Sequence, residues 1–168
     1  MFKKILAAAI IAVASITSYA QTIKIGTVNL DEVMQAMPET SVLEKELADR
    51  TTKFQTQAKS MQDEFQSKYQ AYVEQADSLD DLTRGMREDE LRSLQQRAEQ
   101  YQQSAYQQIS QYREQQLGMI QEKLFKAVKA VGDREKFLAV FPTNEATYFS
   151  PTQTTDVTAL IKTELGIK

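Results

Sequence analysis

The chain has 168 residues and a formal net charge of −3, and it contains no Cys, no His and no Trp. Without Cys no disulfide can form, and without His the chain lacks the usual general base and the commonest zinc ligand. No Gly-rich phosphate loop or nucleophile elbow is present either, so we expect no enzymatic activity, no cofactor and no metal site. The weak negative charge also argues against binding to nucleic acid.

The first twenty residues have the pattern of a secretory signal peptide. Lys3 and Lys4 give a basic start, an apolar run follows from Ile5 to Ile16, and a small-x-small sequence ends at Ala20. The apolar run is shorter than the ~20 residues of a typical membrane span, although a retained anchor is the alternative interpretation. We therefore predict cleavage after Ala20, export out of the cytoplasm, and a mature chain of formal charge −5 without stable membrane insertion.

Residues 21–40 are predicted to form the first part of a small body. Thr22–Val28 is rich in β-branched residues and alternates in polarity, which predicts a strand. Asn29, with Glu32 three residues later, is a predicted N-cap for a short helix. Pro38 is predicted to end that helix, because proline disfavours helical geometry in the residue before it.

Residues 41–131 predict two long helices that fold back on each other as an arm. Val42–Asp77 has no Gly or Pro, and its apolar residues recur about every 3.7 positions, while those of Met86–Val131 recur about every 3.6. A left-handed supercoil needs a repeat of about 3.5, so we expect a nearly straight antiparallel hairpin. Ser41 with Glu44 is a predicted capping box at its start.

The reversal between the two helices is predicted near residues 77–86, at the tip of the arm. Seven acidic and three basic residues lie in the segment Glu74–Arg92, so the predicted tip is acidic. Farther along, Gly118 interrupts the returning helix, where Gly costs about 1 kcal/mol relative to Ala. We predict that Gly118 is a hinge near the base of the arm. The alternative is that it lets a neighbouring group approach closely, or that it has no role.

Residues 132–168 are predicted to form the second part of the body. Gly132 and the residues after it are predicted to stop the returning helix. Phe137–Phe141 is a strongly apolar strand, and residues 146–149 form a second strand after a Pro-containing turn, so the pair is predicted to be a hairpin.

A last helix is predicted between Asp156, as its N-cap, and Gly166, as its C-terminal stop. Its apolar residues are spaced to share one inward face. They are Val157, Leu160, Ile161 and Leu165.

The predicted fold class is therefore α+β, with a small β-body that carries a long antiparallel helical hairpin. A core of this size rarely supplies more than about 3–5 kcal/mol, and short strands leave open edges. We expect the body to close by oligomerising, although these arguments do not set the number of copies. The residues expected to be buried against other copies are Ile23, Ile25, Phe137 and Phe141.

The order of these parts resembles the Skp (OmpH) family of periplasmic chaperones. The matching pieces are K-I-x-x-V-N at Lys24–Asn29 and D-V-T at Asp156–Thr158, on either side of the Gln-rich hairpin, and the resemblance covers the whole mature chain. It implies a homotrimer whose three arms surround a cavity, where unfolded outer-membrane proteins are held without ATP. The best known members have basic arm tips, whereas this tip is acidic, so we carry over no lipopolysaccharide site.

The resemblance and the arm together predict an ATP-independent holdase whose partners are unfolded outer-membrane proteins and other copies of itself. Unfolded barrel strands expose apolar residues, and aromatic and Met side chains can contact them weakly at many places. The candidate client-contact residues are Phe54, Met61, Phe65, Tyr69, Tyr72, Tyr101, Tyr106 and Tyr112.

Four apolar residues of the arm, Val73, Tyr106, Met119 and Phe125, lie off the main apolar stripe. They either widen the seam between the helices or pack against another subunit, or they line a surface for a partner. A structural alternative is also open for the whole chain. It is a coiled-coil envelope spacer or adaptor whose hairpin docks onto one folded partner.

Overall fold

The computed structural model describes residues 23–144 and 148–167. The predicted signal peptide and residues 146 and 147 of the second predicted strand lie outside this part of the chain. The elements are β1 (Ile25–Val28), α1 (Leu30–Ala36), α2 (Pro38–Gln75), a 3-10 turn (Ala76–Ser78), α3 (Asp81–Glu135), β2 (Ala139–Pro142), β3 (Thr154–Asp156) and α4 (Thr158–Glu164). Two long helices and a small sheet confirm the predicted α+β class. None of the described helices has the length and hydropathy needed to cross a bilayer.

Within residues 23–144 and 148–167 the sheet has parallel pairing only, with β1 between the other two strands. Ile25 of β1 pairs with Ala139 of β2 on one side and with Thr154 of β3 on the other. The predicted hairpin is therefore wrong, because the last strand comes later than expected and joins the far edge of β1. Phe149 lies outside regular structure, and its ring packs 6.5 Å from the Phe141 ring. Its apolar character thus reflects packing on the sheet and not strand pairing.

The two faces of the sheet have different surroundings. Val28 is fully buried against the helices, and Gly26 lies on the same face because side chains alternate along a strand. A Cβ atom at Gly26 would lie 3.1 Å from Cγ2 of Val140 and 3.3 Å from the Phe137 ring, so a larger residue there would push these side chains by a few tenths of an ångström. The opposite, outer face carries Ile25 and Thr27 of β1 with their neighbours Ala139, Phe141, Thr154 and Asp156.

The two ends of the described chain are joined through α1 and α4. Oδ1 of Asn29 accepts a hydrogen bond from the backbone N–H of Glu32 at 3.1 Å, which confirms the predicted N-cap. The backbone N–H of Asn29 donates to Oγ1 of Thr158 at 3.0 Å. Asp156 Oδ1 accepts from both the N–H and the hydroxyl of Thr158. The Lys24–Asn29 and Asp156–Thr158 motifs therefore meet in one hydrogen-bonded network.

Both boundaries of the arm differ from their predicted positions. The helix α2 begins at Pro38, and Ser41 with Glu44 lies inside it, so the predicted capping box is wrong. Proline suits the first helical position because the N–H it lacks would have no partner there. At the other end, α3 continues through Gly132 to Glu135, and Lys136 ends it in the left-handed conformation with φ of 58°.

The turn at the tip is tighter than predicted. It spans the 3-10 turn and Leu79, and Gly85 lies within α3. Asp80 caps α3, because its carboxylate accepts hydrogen bonds from the N–H and the hydroxyl of Thr83, both at 2.8 Å. These bonds lower the pKa of Asp80, the backbone N–H bond contributing most. Arg84 donates to the carbonyl oxygens of Ala76 and Leu79, so its guanidinium holds the two helix ends together.

The terminal helix α4 follows the prediction in part. Val157 and Ile161 are fully buried, whereas the Leu160 side chain is 38% exposed and does not share their inward face. Gly166 is confirmed as the C-terminal stop, with φ of 72°. Backbone N–H groups of Gly166 and Ile167 donate to the carbonyl oxygens of Thr163 and Lys162, which is the Schellman pattern of helix ends.

The hydrophobic core lies where the base of the arm meets the body. It joins α1, both arm helices, α4 and the inner face of the sheet. Its buried members are Val28, Val33, Met37, Leu43, Ile120, Leu124, Ala127, Val131, Val157 and Ile161. Farther along the described arm only Leu94 and Ala105 are buried. The arm is therefore anchored at one end and held by a narrow seam along its length.

Candidate functional site

The two arm helices contact each other through aromatic and charged side chains at intervals along the seam. The Phe54 and Tyr101 rings meet edge to face, with centroids 6.0 Å apart. Toward the tip, Lys68 pairs with Glu90, and the Tyr72 hydroxyl donates to Oε1 of Glu88 at 2.7 Å. Near the base, Tyr112 donates to Glu46 and Lys123 pairs with Glu39. These contacts fix the antiparallel register of the arm.

The eight predicted client-contact residues fall into two groups. Tyr69 and Tyr106 are 51% and 69% exposed, so their rings are available on the surface of the arm. The other six are partly buried, so less of each side chain is accessible to a client. They are Phe54, Met61, Phe65, Tyr72, Tyr101 and Tyr112.

Tyr72 and Tyr112 are further restrained by their hydroxyl groups. The hydrogen bond from each hydroxyl to a carboxylate stabilises the protonated phenol, which raises the pKa of both side chains. The carboxylates are those of Glu88 and Glu46. The Arg50 guanidinium also lies 3.8 Å from the centre of the Tyr112 ring. Both tyrosines therefore stay uncharged and tie the two helices together.

Several exposed apolar side chains of the arm were not among the predicted contact residues. The full set of large exposed apolar residues on the arm is Val42, Tyr69, Val73, Leu82, Met86, Tyr106, Met119 and Phe125. Val42, Leu82 and Met86 had no distinguishing signal in the sequence. Val42 lies one residue before the seam residue Leu43, and the other two lie in or beside the predicted turn. The tight turn instead places Leu82 and Met86 one helical turn apart on α3.

The tip of the arm is electrostatically negative in the structure as well as in the sequence. The three basic residues of the tip already have partners within the chain. Arg84 caps the helix end, while Arg87 and Arg92 pair with Glu90 and Asp89. Lys68 and Arg87 lower the pKa of Glu90, with the Lys68 hydrogen bond contributing most. Within residues 23–144 and 148–167, Glu74, Asp77 and Asp81 take part in no ion pair. An acidic surface therefore remains at the tip.

Gly118 lies on the exposed surface near the base of the arm, within a continuous α3. The Tyr112–Glu46 and Lys123–Glu39 contacts lie on either side of it along the arm. A Cβ atom added at Gly118 would meet nothing within 4 Å. Close packing in the described chain therefore does not explain this glycine, and the hinge stays a prediction.

Gly118→Ala should stiffen the arm without removing a contact. We expect spin labels at residue 80 of different arms to give a narrower distance distribution in the variant, because Gly costs about 1 kcal/mol more than Ala in a helix. Pulsed electron paramagnetic resonance measures that distribution. Gly85→Ala, at an equally open helical position, is the matched control beside the tip and should leave it unchanged. An unchanged width in Gly118→Ala would reject the hinge.

The four predicted oligomer-interface residues do not share one surface. Phe141 is 44% exposed, and the alternation of the strands puts it on the outer face with Ile25. Ile23 is 66% exposed, but it precedes β1 and lines a cavity with Gly132 and Phe137. Phe137 packs against the core, and the Lys24 ammonium lies 4.2 Å from the centre of its ring. The outer face is thus open for association, whereas Phe137 already has neighbours within its own chain.

The chain was compared with known sequences and structures. The profile of a protein family described as "Outer membrane protein (OmpH-like)" matches residues 24–165. No curated protein sequence matches the chain. An OmpH-like protein of Caulobacter crescentus, proposed to be an outer membrane chaperone, has a similar structure, with a TM-score of 0.76 at 8% identity. The similarity covers 85% of this chain and 83% of that one, and at this identity it shows a shared fold. From the family match over nearly all of its length, the chain belongs to the OmpH-like family.

Proposed function

We propose that this protein is an ATP-independent periplasmic holdase that binds unfolded outer-membrane proteins between the arms of a homotrimer. The observation that carries the proposal is the set of eight large apolar side chains exposed along the arm. Membership of the OmpH-like family supports it, and so does the chaperone role proposed for the Caulobacter crescentus protein.

The arm has the dimensions and the surface that such binding requires. With 55 residues, α3 is about 80 Å long at 1.5 Å per residue. The exposed apolar side chains of the arm are separated by Gln and charged residues, so they offer many weak contacts and no single deep pocket. An unfolded chain can use several of them at once and exchange among them. The affinity for a client then depends on the number of contacts, which suits clients of different sequence.

We also propose that the chain has no catalytic activity. Catalytic acids and bases usually have pKa values shifted toward neutrality. Here the shifts go the other way, since hydrogen bonds raise the pKa of Tyr72 and Tyr112, and ion pairs lower those of Glu39 and Glu90. Such shifts stabilise the side chains in their ordinary charge states.

The mature chain from Gln21 should be a trimer in solution. The outer face of the sheet exposes Phe141, and both edge strands are short, so association through this face would bury apolar surface that one chain leaves in water. Light scattering at micromolar concentration should give about three chain masses. Phe141→Asp should shift the mass toward that of one chain, whereas Leu138→Asp, at a residue also exposed but outside the strands, should not.

The holdase activity is tested by diluting a urea-unfolded barrel protein into buffer with the mature chain. We expect turbidity to stay low without nucleotide, and to stay low for several barrel proteins of unrelated sequence. Rapid aggregation of every client would reject the function. Tight binding to a single folded envelope protein, with no effect on aggregation, would favour the spacer or adaptor instead.

A further inference from the structure

A continuous groove runs along one face of the middle of the arm. Two cavities of about 710 and 110 Å³ share Gln55, Ala58 and Gln102 in their linings, so they are parts of one depression between the helices. On α2 the groove extends from Thr51 to Phe65, which corresponds to about 20 Å of helix. We call it the glutamine groove.

The floor of the glutamine groove is apolar, and small side chains make it accessible. Ala58 of α2 faces Ala98 of α3, and Ala105 continues the same row. Alanine side chains do not fill the space between the helices, which leaves room for the side chains of a ligand. Phe65 lies at one end of the groove and Tyr106 at the other. The floor can therefore receive apolar side chains from a partner.

The rims of the groove carry four carboxamides, two on each helix. Gln55 and Gln62 lie two helical turns apart on α2, and Gln95 and Gln102 have the same spacing on α3. Among the described residues, the side chains of Gln55, Gln62 and Gln102 make no hydrogen bond, while Gln95 donates to Oε1 of Glu99 at 3.2 Å. Each free carboxamide offers both a donor and an acceptor.

The charge of the groove also selects among ligands. The lining contains one cation and one anion, Lys59 and Glu99, so it is neutral, in contrast to the acidic tip. A lining without net charge gives little overall attraction to a charged segment, which would also lose hydration on entering. An uncharged segment that needs hydrogen-bond partners along its length matches both the neutral charge and the paired carboxamides.

We propose that the glutamine groove binds an extended, uncharged stretch of an unfolded client. Six residues of β-strand span about 20 Å, the length of the groove. Alternate apolar side chains would enter the floor, while the carboxamides satisfy backbone N–H and C=O groups that leave water. A helical ligand satisfies its own backbone, and a lipid chain has no backbone to pair, so neither would use the rims. The inference rests on the proposed holdase function, because the ligand is its client.

The test uses a capped, fluorescent peptide of about eight uncharged residues that alternate Val or Tyr with Thr, long enough to fill the groove. Binding to the mature chain is measured by fluorescence anisotropy. The variant is Gln62→Leu with Gln102→Leu, which keeps side-chain size and helix propensity but removes two carboxamides. Each lost hydrogen bond should weaken binding about fivefold, so the double variant should bind about 25-fold more weakly.

Whether Gln→Leu weakens or strengthens peptide binding distinguishes a groove that binds through hydrogen bonds from one that binds through apolar contact alone. A surface that binds through apolar contact alone would bind more tightly after Gln→Leu, and that result would overturn the proposal. The matched control is Gln57→Leu with Gln103→Leu, at exposed positions of the same helices outside the groove, and it should bind as the wild type does. Circular dichroism should show equal helix content in all three proteins.

A second peptide tests the same hydrogen bonds by a change in the ligand instead of the protein. The same peptide with alternate backbone amides N-methylated keeps its side chains but loses donors. It should bind the wild type weakly, and the double Leu variant should discriminate little between the two peptides. Equal binding of both peptides to the wild type would overturn the proposal. Suppression of barrel aggregation without peptide binding would reject the groove and keep the holdase, whereas failure of both would reject the two together.

Discussion

Leu124→Ala should lower the free energy of unfolding by about 3 kcal/mol, because it opens a cavity in the core that anchors the arm. The Leu124 side chain is 1% exposed and packs among residues of both arm helices, α1 and α4. A core of this size rarely supplies more than about 3–5 kcal/mol, so the change removes most of its contribution. Urea unfolding followed by circular dichroism, at one fixed protein concentration, measures the effect.

Leu160→Ala is the matched control, since it makes the same chemical change at a side chain that is 38% exposed on α4. It should cost well under 1 kcal/mol, because little buried volume is lost. Equal losses in the two variants would show that the core at the arm base is not where the stability of the chain lies.

Tyr69→Ser with Tyr106→Ser should weaken client binding about 30-fold, if each exposed ring contributes about 1 kcal/mol of contact. Both rings lie on the surface of the arm, and neither hydroxyl makes a hydrogen bond within the described residues. The helix content and the oligomeric state should therefore not change. The affinity for an unfolded barrel protein, measured by fluorescence quenching, is the readout.

Two further variants make this test specific. Tyr148→Ser changes an equally exposed tyrosine of the body and should leave client affinity unchanged. Phe54→Ser with Tyr101→Ser breaks the edge-to-face contact of the seam and should lower the stability of the arm. If the surface pair also lowers stability, or if Tyr148→Ser weakens binding as much, then exposure on the arm is not what holds the client.

The long helices were predictable because their cause is local. Repeated apolar spacing without Gly or Pro favours helix whatever surrounds it, and the Asn29 cap depends on a residue only three positions away. The strand pairing was not predictable in this way. Apolar character near residues 148 and 149 indicated a hairpin, yet Tyr148 is exposed and Phe149 packs against Phe141, and Thr154–Asp156 becomes the strand because β1 has a free edge there.

The helix boundaries were not fully predictable, because the sequence patterns allow more than one residue to begin or end each helix. Pro38 can end one helix or begin the next, and here it begins α2. Lys136 ends α3 in a conformation that costs a non-glycine residue about 1–2 kcal/mol, so the nearby Gly132 was a natural but wrong choice. Pro38 thus follows one of two local preferences, whereas Lys136 adopts its backbone conformation against its local preference.

The residue types that cover the arm could be predicted from the sequence, but the exposure of individual side chains could not. Residues on neighbouring positions of a helix differ by about 100° in direction, so a small drift in register moves an aromatic side chain from the seam to solvent. Tyr72 and Tyr69 illustrate this, since one is hydrogen-bonded across the seam and the other is exposed. The glutamine groove depends on both helices at once and has no signal in either one alone.

The order of events during folding follows from the pairing of β1 with strands at the far end of the chain. Ile25 pairs with Ala139 and Thr154, so the sheet closes only after nearly the whole polypeptide is present. The arm has local contacts around its turn and can form first. A chain that emerges from its N-terminus must therefore keep β1 unpaired until β2 arrives, and one edge of β1 open until β3 follows. Pulsed hydrogen exchange during refolding should protect the amides of α2 and α3 before that of Gly26.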